Sequence, residues 1–373
     1  MNPFVDTERT YQQGSHTLPR DCYASPEVFA EETERLFRDR WVCAGRDSEL
    51  ARAGDYFLAS VAGESLIVVR AEDGAIHALY NVCRHRGTRL CEEDHGALAT
   101  GTIQCPYHAW TYGLDGRLVV APHMEGVEGF DPRDYPLHRA AVDVWEGFVF
   151  VHLGSRPQPL AAWLEPLLGR FSRFNLPSLR PAGRIHYDVK ANWKLLFQNY
   201  SECLHCPVIH PQLSRLTPFK SATNDLAEGP FLGGPMRIAG GGSMTRSGDV
   251  CAPPVGDLPP DDLHRVYYYS IFPNMLLSLH PDYVMFHLLT PVAADRTQVV
   301  CEWLFHPDAF DDSEADPQDA IAFWDTTNRE DWQICELAEA GVTSRAYAPG
   351  PYSTRESLPA AWDREYLRQM EGR

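Results

Sequence analysis

Two short loops that each pair a cysteine with a histidine constrain the fold of this chain more than any other feature. The segment NVCRHRG carries Cys83 and His85, and the segment CPYHAW carries Cys105 and His108. Each loop follows a β-rich run and contains a Gly or Pro suited to a tight turn. Two loops that each offer one thiolate and one imidazole form a four-ligand metal site. We therefore expect a fold that brings both loop tips to one metal centre.

The ligand types alone leave two metal centres open. Zinc accepts two cysteines and two histidines in tetrahedral geometry. Zinc fingers, however, usually keep the two cysteines together and the two histidines together, whereas each loop here mixes them. Mixed loops suit an iron–sulfur cluster in which two cysteines hold one iron and two histidines hold the other.

The pattern of the chain predicts three segments and an α+β fold. Helical spacing after Ser25 and Pro26 indicates a leading helix, so residues 1–40 are expected to form a helical segment that packs on the C-terminal domain. Short β-rich runs separated by DG turns predict an all-β domain at 41–155. Residues 156–373 show a mixed pattern, with candidate strands at 184–190, 266–272, 283–290 and 297–305. The Gly/Pro-rich stretch 229–260 is predicted to be a lid or mobile loop.

A second group of candidate ligands lies in ANWKLLFQNYSECLHCPVIHP. Asn192 is a good N-cap, and Pro207 predicts that the helix ends near Cys206. His205 and His210 would point about 140° apart on a continuous helix. A break at Pro207 would let His210 fold back beside His205. Two imidazoles and one carboxylate would then complete a facial triad for non-haem Fe(II).

The candidate for the carboxylate is Asp331. Asp316 and Pro317 predict the start of a long helix that ends near Gly341. Asp331 lies within the apolar stripe of this helix, where an unpaired charge would be costly. Its partner is either a metal ion or a buried Arg or Lys, and the position alone does not decide between them.

Composition excludes several classes of protein. Among 373 residues, 33 Lys and Arg against 51 Asp and Glu leave a formal charge of −18, which disfavours binding to nucleic acid. No run of about 18 apolar residues is present, so no membrane span is predicted. The acidic start MNPFVDTERTYQQ argues against a secretory signal, and we predict a cytoplasmic protein. Ten cysteines are then expected to be thiols or metal ligands rather than a disulfide framework.

Taken together, the two constellations resemble the α subunits of Rieske non-haem iron oxygenases over nearly the whole chain. C-x-H with C-P-Y-H is similar to a Rieske [2Fe–2S] centre, NYSECLHCPVIHP to the family's iron motif, and NREDWQICELAEAG to the helix that supplies the third iron ligand. The resemblance implies that residues 41–155 are the Rieske domain and 156–373 the catalytic domain. It assigns Cys83 and Cys105 to one cluster iron, His85 and His108 to the other, and His205, His210 and Asp331 to the mononuclear Fe(II).

The same resemblance places Asn199 close to the iron and Glu202 at the bridging position between the two centres, where many members have Asp. It implies an oxygenase component that uses O₂ and receives electrons from a separate NAD(P)H-dependent reductase, with or without a ferredoxin. A ring-shaped trimer follows, in which Glu202 hydrogen-bonds His108 of the next subunit and His205 of its own. Glu202 could instead only orient its neighbours.

For the substrate, NVCRHRG, Glu202 and TSRAYAPGPYS resemble the branch of glycine betaine, carnitine and choline monooxygenases. This branch implies N-demethylation of a quaternary ammonium compound; the alternative is hydroxylation or dihydroxylation of an aromatic acid or ring compound. A pure electron carrier or a zinc-stabilised binding module is a further alternative from a different class. Aromatic side chains on the predicted strands are either a cation-binding cage or plain core. They are Tyr267, Tyr269, Tyr283, Phe286 and Trp303.

Overall fold

The computed structural model describes residues 4–372 and divides into two compact units. One unit comprises the chain up to Leu36 together with the chain from Leu164 onward, and the other is Phe37–Trp163. The first combines helices with an antiparallel sheet, and the second consists mainly of strands. The predicted α+β class is therefore confirmed.

Strands occur in both units, and most of the α-helices belong to the larger one. The strands are β1 (Val5–Asp6), β2 (Val42–Arg46), β3 (Asp55–Val61), β4 (Glu64–Arg70), β5 (Ile76–Tyr80), β6 (His95–Ala97), β7 (Thr102–Gln104), β8 (Thr111–Gly113), β9 (Leu118–Val120), β10 (Arg139–Trp145), β11 (Phe148–His152), β12 (Arg180–Val189), β13 (Thr223–Asn224), β14 (Phe231–Arg237), β15 (Arg265–Ile271), β16 (Met275–Leu279), β17 (Val284–Ala293) and β18 (Arg296–Phe305). The α-helices are α1 (Thr7–Thr10), α2 (Arg20–Ala24), α3 (Pro26–Glu32), α4 (Leu160–Trp163), α5 (Trp193–Tyr200), α6 (Cys206–Ile209), α7 (Pro211–Leu216), α8 (Pro317–Val342) and α9 (Ser357–Glu371). As the sequence predicts, Ser25 caps α3 by accepting a hydrogen bond from the backbone N–H of Val28.

The smaller unit holds two antiparallel sheets around one apolar core. The seven-stranded sheet has the order β2-β11-β10-β5-β4-β3-β6, and β7-β8-β9 form a three-stranded sheet. Buried side chains from both sheets, including Ile67 and Ile103, pack into the same core as Cys83 and Cys105. The apolar core therefore fixes the bases of both ligand loops.

The larger unit is built on a six-stranded antiparallel sheet with the order β12-β18-β17-β16-β15-β14. Helix α8 contacts β12 and α5, and α5 in turn contacts α9 and β17. Helix α8 begins with Pro317 at its first turn, as predicted, although the Asp316 side chain makes no capping hydrogen bond. Antiparallel pairing places every second residue of each strand on one face of the sheet.

Helix α5 is shorter than the sequence predicts. Asn192 caps it by accepting from the backbone N–H of Lys194, but the helix ends at Tyr200 instead of near Cys206. The Ser201 hydroxyl donates to the Phe197 carbonyl, and the Glu202 carboxylate accepts from the backbone N–H of Leu204. These local side-chain bonds compete with the helical pattern. Pro207 consequently lies in the first turn of a separate short helix, α6, rather than ending α5.

The prediction of a lid or mobile loop over 229–260 is wrong for residues 231–237. These residues form β14, which pairs along its whole length with β15 and is almost entirely buried. Its glycines are required by close packing rather than by mobility. A Cβ atom on Gly234 would lie 2.1 Å from the carbonyl oxygen of Thr223, so only glycine lets β13 approach this strand.

Two cysteines are not the thiols or metal ligands that the sequence analysis expected. Cys203 and Cys206, on either side of His205, form a disulfide. The other eight cysteines form no disulfide within residues 4–372. A bridge across three positions closes only a very short loop, so it constrains the segment around His205 and not the fold as a whole.

Within residues 4–372, none of the helices combines the length and the apolar composition that crossing a bilayer requires.

Candidate metal centres and the adjoining cavity

The two Cys/His loops of the smaller unit have the same backbone design. In the first loop the N–H of Cys83 donates to Thr88 and the N–H of Gly87 donates back to Cys83, with Gly87 at φ +74°. In the second loop the N–H of Cys105 donates to Trp110 and the N–H of Ala109 donates back to Cys105. Both cysteines are buried at the base of a closed turn, and the histidine of each pair projects from the turn.

The side chains of these loops converge. The rings of His85 and His108 lie 4.9 Å apart, and the His85 ring stacks on Trp110 at 4.8 Å. The Tyr112 hydroxyl lies 3.3 Å from the Cys83 sulfur and accepts from the backbone N–H of Arg84. Burial raises the pKa of the Cys83 thiol, and the neighbouring Cys105 raises it further.

The donor set fits a two-iron cluster better than a single zinc ion. Ligands at about 2.0–2.3 Å from one zinc ion lie within roughly 4 Å of one another. Among the described residues, ligand atoms that all lie within 4.8 Å of one another occur in threes or more only outside the set Cys83, His85, Cys105 and His108. These four side chains are therefore spread more widely than the ligands of one zinc ion. Two buried thiols on one side and two imidazoles on the other match the division of ligands between two irons.

A second group of ligands is compact enough for a single ion. The ligand atoms of His205, His210 and Asp331 all lie within 4.8 Å of one another. His210 Nε2 is 2.8 Å and His205 Nε2 is 3.4 Å from the same Asp331 oxygen, Oδ1. The two histidines flank the short helix α6, which brings their rings to 5.2 Å. A His-His-carboxylate set of this kind suits non-haem Fe(II) and leaves coordination positions open.

Each histidine of this group is oriented by a second carboxylate. His205 Nδ1 lies 2.5 Å from Glu202 Oε1, and His210 Nδ1 lies 2.7 Å from Glu330 Oε2. With Nδ1–H donating to a carboxylate, both rings keep Nε2 for the metal position. Glu330 is not among the residues that the sequence predicts for the site, because the helical wheel places it on the outer side of α8. Its position directly before Asp331 was the only signal in the sequence.

The structure also decides what pairs with Asp331. Its partners among residues 4–372 are the two histidines, and the alternative of a buried Arg or Lys is excluded. Burial would raise the pKa of Asp331, but hydrogen bonds from His205 and His210 outweigh it and lower the pKa. Burial lowers the pKa of His205, yet Asp331 and Glu202 raise it to about 10. Asp331 therefore stabilises the positive charge of both imidazoles, and they stabilise its negative charge, while the two imidazoles disfavour each other's charge.

Asn199 reaches the same group from the last turn of α5. Its Nδ2 lies 3.5 Å from His205 Nε2, the nitrogen that faces the metal position. The structure thus brings together five of the residues that the sequence predicts for the larger unit. They are Asn199, Glu202, His205, His210 and Asp331.

A cavity of about 110 Å³ adjoins these residues. A single water needs roughly 10–15 Å³ of such space, so the cavity has room for a small organic molecule. One wall is a face of the six-stranded sheet, where Gly234, Tyr268 and Met285 share one row through β14, β15 and β17. The facing wall includes Trp324 from α8.

The aromatic residues of this cavity are not those that the sequence analysis named. Tyr267 and Tyr269 point to the other face of the sheet, where their hydroxyls bond Asp262 and Asp225. Tyr268, between them, lines the cavity together with Tyr200 and other rings. The described residues that line the cavity include none of the five aromatic residues named from the sequence, which are Tyr267, Tyr269, Tyr283, Phe286 and Trp303. The interpretation of those five as core is correct.

His287 presents a neutral imidazole at the cavity wall. Burial lowers its pKa to about 4. The amide of Asn328 donates to the Tyr187 hydroxyl, so its oxygen faces His287 Nε2 at 3.1 Å and accepts from it. His287 lies in a strand-like run that predicts a structural histidine, and only the tertiary structure shows that it lines the cavity.

Comparison with known proteins places both units in described families. Residues 40–131 match the Rieske [2Fe–2S] domain, and residues 176–372 match the ring hydroxylating alpha subunit (catalytic domain). The glycine betaine monooxygenase oxygenase subunit of Chromohalobacter salexigens is 33% identical over 92% of this chain and 83% of that protein. The carnitine monooxygenase oxygenase subunit of Escherichia coli is 37% identical over 54% of each.

Solved structures give the same result. A quaternary ammonium Rieske monooxygenase in complex with L-carnitine has a TM-score of 0.78 and 26% identity, covering 99% of this chain and 97% of that one. Naphthalene 1,2-dioxygenase from Rhodococcus, at 19% identity and a TM-score of 0.76, covers 95% and 94% and shares the fold. With both domains matched and a relative 33% identical along most of its length, the chain belongs to the Rieske non-haem iron oxygenases, as an oxygenase α subunit with a [2Fe–2S] domain and a mononuclear-iron catalytic domain.

Proposed function

We propose that this chain is the oxygenase component of a multicomponent monooxygenase that oxidises an N-methyl group of a small quaternary ammonium compound. The observation that carries the proposal is the His205–His210–Asp331 group at the edge of a cavity walled by aromatic rings. Similarity to glycine betaine and carnitine monooxygenase oxygenase subunits supports the choice of substrate. Electrons would come from a separate NAD(P)H-dependent reductase, and a cytoplasmic location fits that dependence.

Each candidate residue has a specific role in this proposal. Cys83 and Cys105 hold one iron of the cluster and His85 and His108 the other, within a Rieske domain at 41–155. His205, His210 and Asp331 hold the mononuclear iron of a catalytic domain at 156–373. When bound, that iron supplies the activation of O₂ beside the substrate. Glu202 and Glu330 keep the Nε2 atoms turned toward the metal by accepting from Nδ1.

The cavity suits a cation without an N–H group. Tyr200, Tyr268 and Trp324 line it, and a quaternary ammonium group is attracted to aromatic rings without needing a hydrogen bond. The carboxylates of Glu202, Glu330 and Asp331 together exceed the charge of one Fe(II), so the metal edge of the cavity stays negative. An oxidised N-methyl group would leave as formaldehyde, which gives the reaction a direct readout.

The exposed surfaces beside both metal centres support electron transfer between subunits. Next to the cluster ligands, His85 is exposed and Tyr107 is 56% exposed. Next to the iron ligands, Leu204 is 40% and Val208 is 79% exposed. Apolar side chains left in water at both places favour docking of one on the other. We infer a ring-shaped trimer in which the cluster of one subunit docks beside the iron site of the next, with Glu202 between His205 and the partner subunit's His108.

The test is a substrate screen with the purified, iron-loaded enzyme and a surrogate reductase. We expect O₂ uptake and formaldehyde release with glycine betaine, carnitine or choline, and neither with benzoate or naphthalene. An Asp331→Ala variant, which keeps the cluster, controls for uncoupled oxidation. Turnover of the aromatic compounds in place of the quaternary ammonium compounds would overturn the proposed substrate class and favour aromatic hydroxylation.

A further inference from the structure

The cavity has a polar edge that the metal centre does not use. Thr7, Asn224 and Ser357 line it there, together with Arg355. Among the described residues that line the cavity, Arg355 is the only lysine or arginine. With Fe(II) bound between neutral imidazoles, the three carboxylates of Glu202, Glu330 and Asp331 still leave the metal edge negative, so the cavity carries opposite charges at two of its edges.

The polar edge is built from buried, mutually bonded side chains. Asn224 and Ser357 are both 2% exposed. The Asn224 amide donates to the hydroxyls of Thr10 and Ser357, and these two hydroxyls lie 3.0 Å apart. Pairing of Val5 with Asn224 between β1 and β13 holds the N-terminal segment over this edge. Ser357, the first residue of α9, therefore fixes the chain just after Arg355.

The guanidinium of Arg355 has a partner that a ligand can replace. Its Nη2 atom lies 2.5 Å from Glu8 Oε1, and Glu8 is 47% exposed. Ion pairs with one exposed partner contribute little net free energy because water solvates the separated charges well. An incoming carboxylate at this edge of the cavity would bind the guanidinium through two parallel hydrogen bonds, because the planar fork of N–H groups matches the two carboxylate oxygens.

We propose that Arg355 binds the carboxylate of the substrate, so that this enzyme acts on quaternary ammonium carboxylates in preference to quaternary ammonium alcohols. The inference rests on the proposed function and narrows its substrate class. A betaine would lie with its carboxylate at Arg355 and its trimethylammonium group among Tyr268, Trp324 and the acidic metal edge. Choline has the same cation but no anionic group for Arg355, and it therefore lacks half of these contacts.

Arg355→Gln tests the inference in the holoenzyme. We expect kcat/KM for glycine betaine or carnitine to fall about 10- to 100-fold, mainly through KM, because hydrogen bonds between charged groups are lost. The low kcat/KM for choline should stay within about twofold. Glu8→Gln, which frees Arg355, should lower KM for the carboxylates by about two- to fivefold.

Arg265→Gln is the matched control, because Arg265 pairs with Asp261, is similarly exposed and is not among the cavity residues. Calorimetric binding of betaine and choline to each variant separates affinity from turnover. Equal use of choline and betaine by the unmodified enzyme, or equal losses for both in Arg355→Gln, would overturn the role of Arg355. Binding and turnover of benzoate, lost in Arg355→Gln, would overturn the proposed function while supporting carboxylate recognition by Arg355.

Discussion

His280 makes the larger unit sensitive to acid, and the size of the effect can be worked out. The side chain is fully buried, and both ring nitrogens are without a hydrogen-bond partner in the described part of the chain. Its ring stacks on Tyr283 at 4.2 Å and meets the edges or faces of Trp324 and Tyr268 at 5.4 and 6.1 Å. Tyr268 and Trp324 line the cavity, so His280 supports its aromatic walls from behind.

Burial lowers the pKa of His280 to about 3 from an ordinary value of 6.5. The folded state therefore keeps this imidazole neutral, while the unfolded state takes up a proton as the pH falls below about 6.5. Stability that is present above pH 6.5 is lost progressively between pH 6.5 and about 3. Because pH 5 lies about 1.5 below the pKa of the unfolded imidazole, protonation stabilises the unfolded state there by about 2 kcal/mol.

The perturbation is His280→Phe, which keeps an aromatic ring but cannot be protonated. Relative to the unmodified protein, we expect its free energy of unfolding to rise by about 2 kcal/mol between pH 7.5 and pH 5. For a unit of this size that corresponds to a relative rise in Tm of about 4–8 °C. Thermal unfolding followed by circular dichroism at both pH values measures the difference.

His186→Phe is the control, because His186 is exposed on β12 and the same substitution there should leave the pH dependence unchanged. Parallel pH dependence of His280→Phe and the unmodified protein would refute the reasoning. It would mean that the imidazole is either solvated or protonated in the folded state.

Three further predictions concern the metal centres. Glu202→Gln should slow the single-turnover reduction of the mononuclear iron, while the iron occupancy measured by metal analysis stays normal. Loss of iron would instead mean that Glu202 only orients His205, through the 2.5 Å contact between the two side chains. Asp331→Ala should keep the visible spectrum of the cluster and abolish oxygenation, since the two histidines lose their shared carboxylate. Retained turnover would remove Asp331 from the triad. Val208→Asp should reduce turnover and weaken the proposed trimer in analytical ultracentrifugation, because it places a charge on the proposed docking surface. Val250→Asp, at another exposed valine, should change neither, and equal behaviour of the two variants would contradict the docking surface.

The sequence determined the chemistry of both centres through residue type and local spacing. A Cys and a His within one tight turn, repeated in a second turn, specify a mixed-ligand site because the turn geometry is local. Asn192 starts α5 and Pro317 starts α8 for equally local reasons, since capping depends only on neighbouring backbone groups. These features needed no knowledge of the rest of the fold.

Where local preferences compete, the sequence was a poor guide. The end of α5 depends on whether Ser201 and Glu202 bond to nearby backbone or continue the helix, and the side-chain bonds compete with the helical pattern. The Gly/Pro content of 229–260 indicated a loop. Close contact between Gly234 and Thr223 instead makes glycine a requirement of the packed strand β14.

Only the tertiary structure decided which side chains meet across the fold. Alternation along β15 places Tyr268 opposite to Tyr267 and Tyr269, but packing against α8 selects the face that borders the cavity. The placement of α8 also brings Asp331 to the two histidines and Glu330 to His210, and the contacts of Ser357 with Asn224 and Thr10 bring Arg355 to the cavity edge. The local sequence encodes the donor atoms, because turns and helix caps depend only on interactions between neighbouring residues. Contacts between residues more than a hundred positions apart exist only once the apolar faces of the helices and the sheet are buried together.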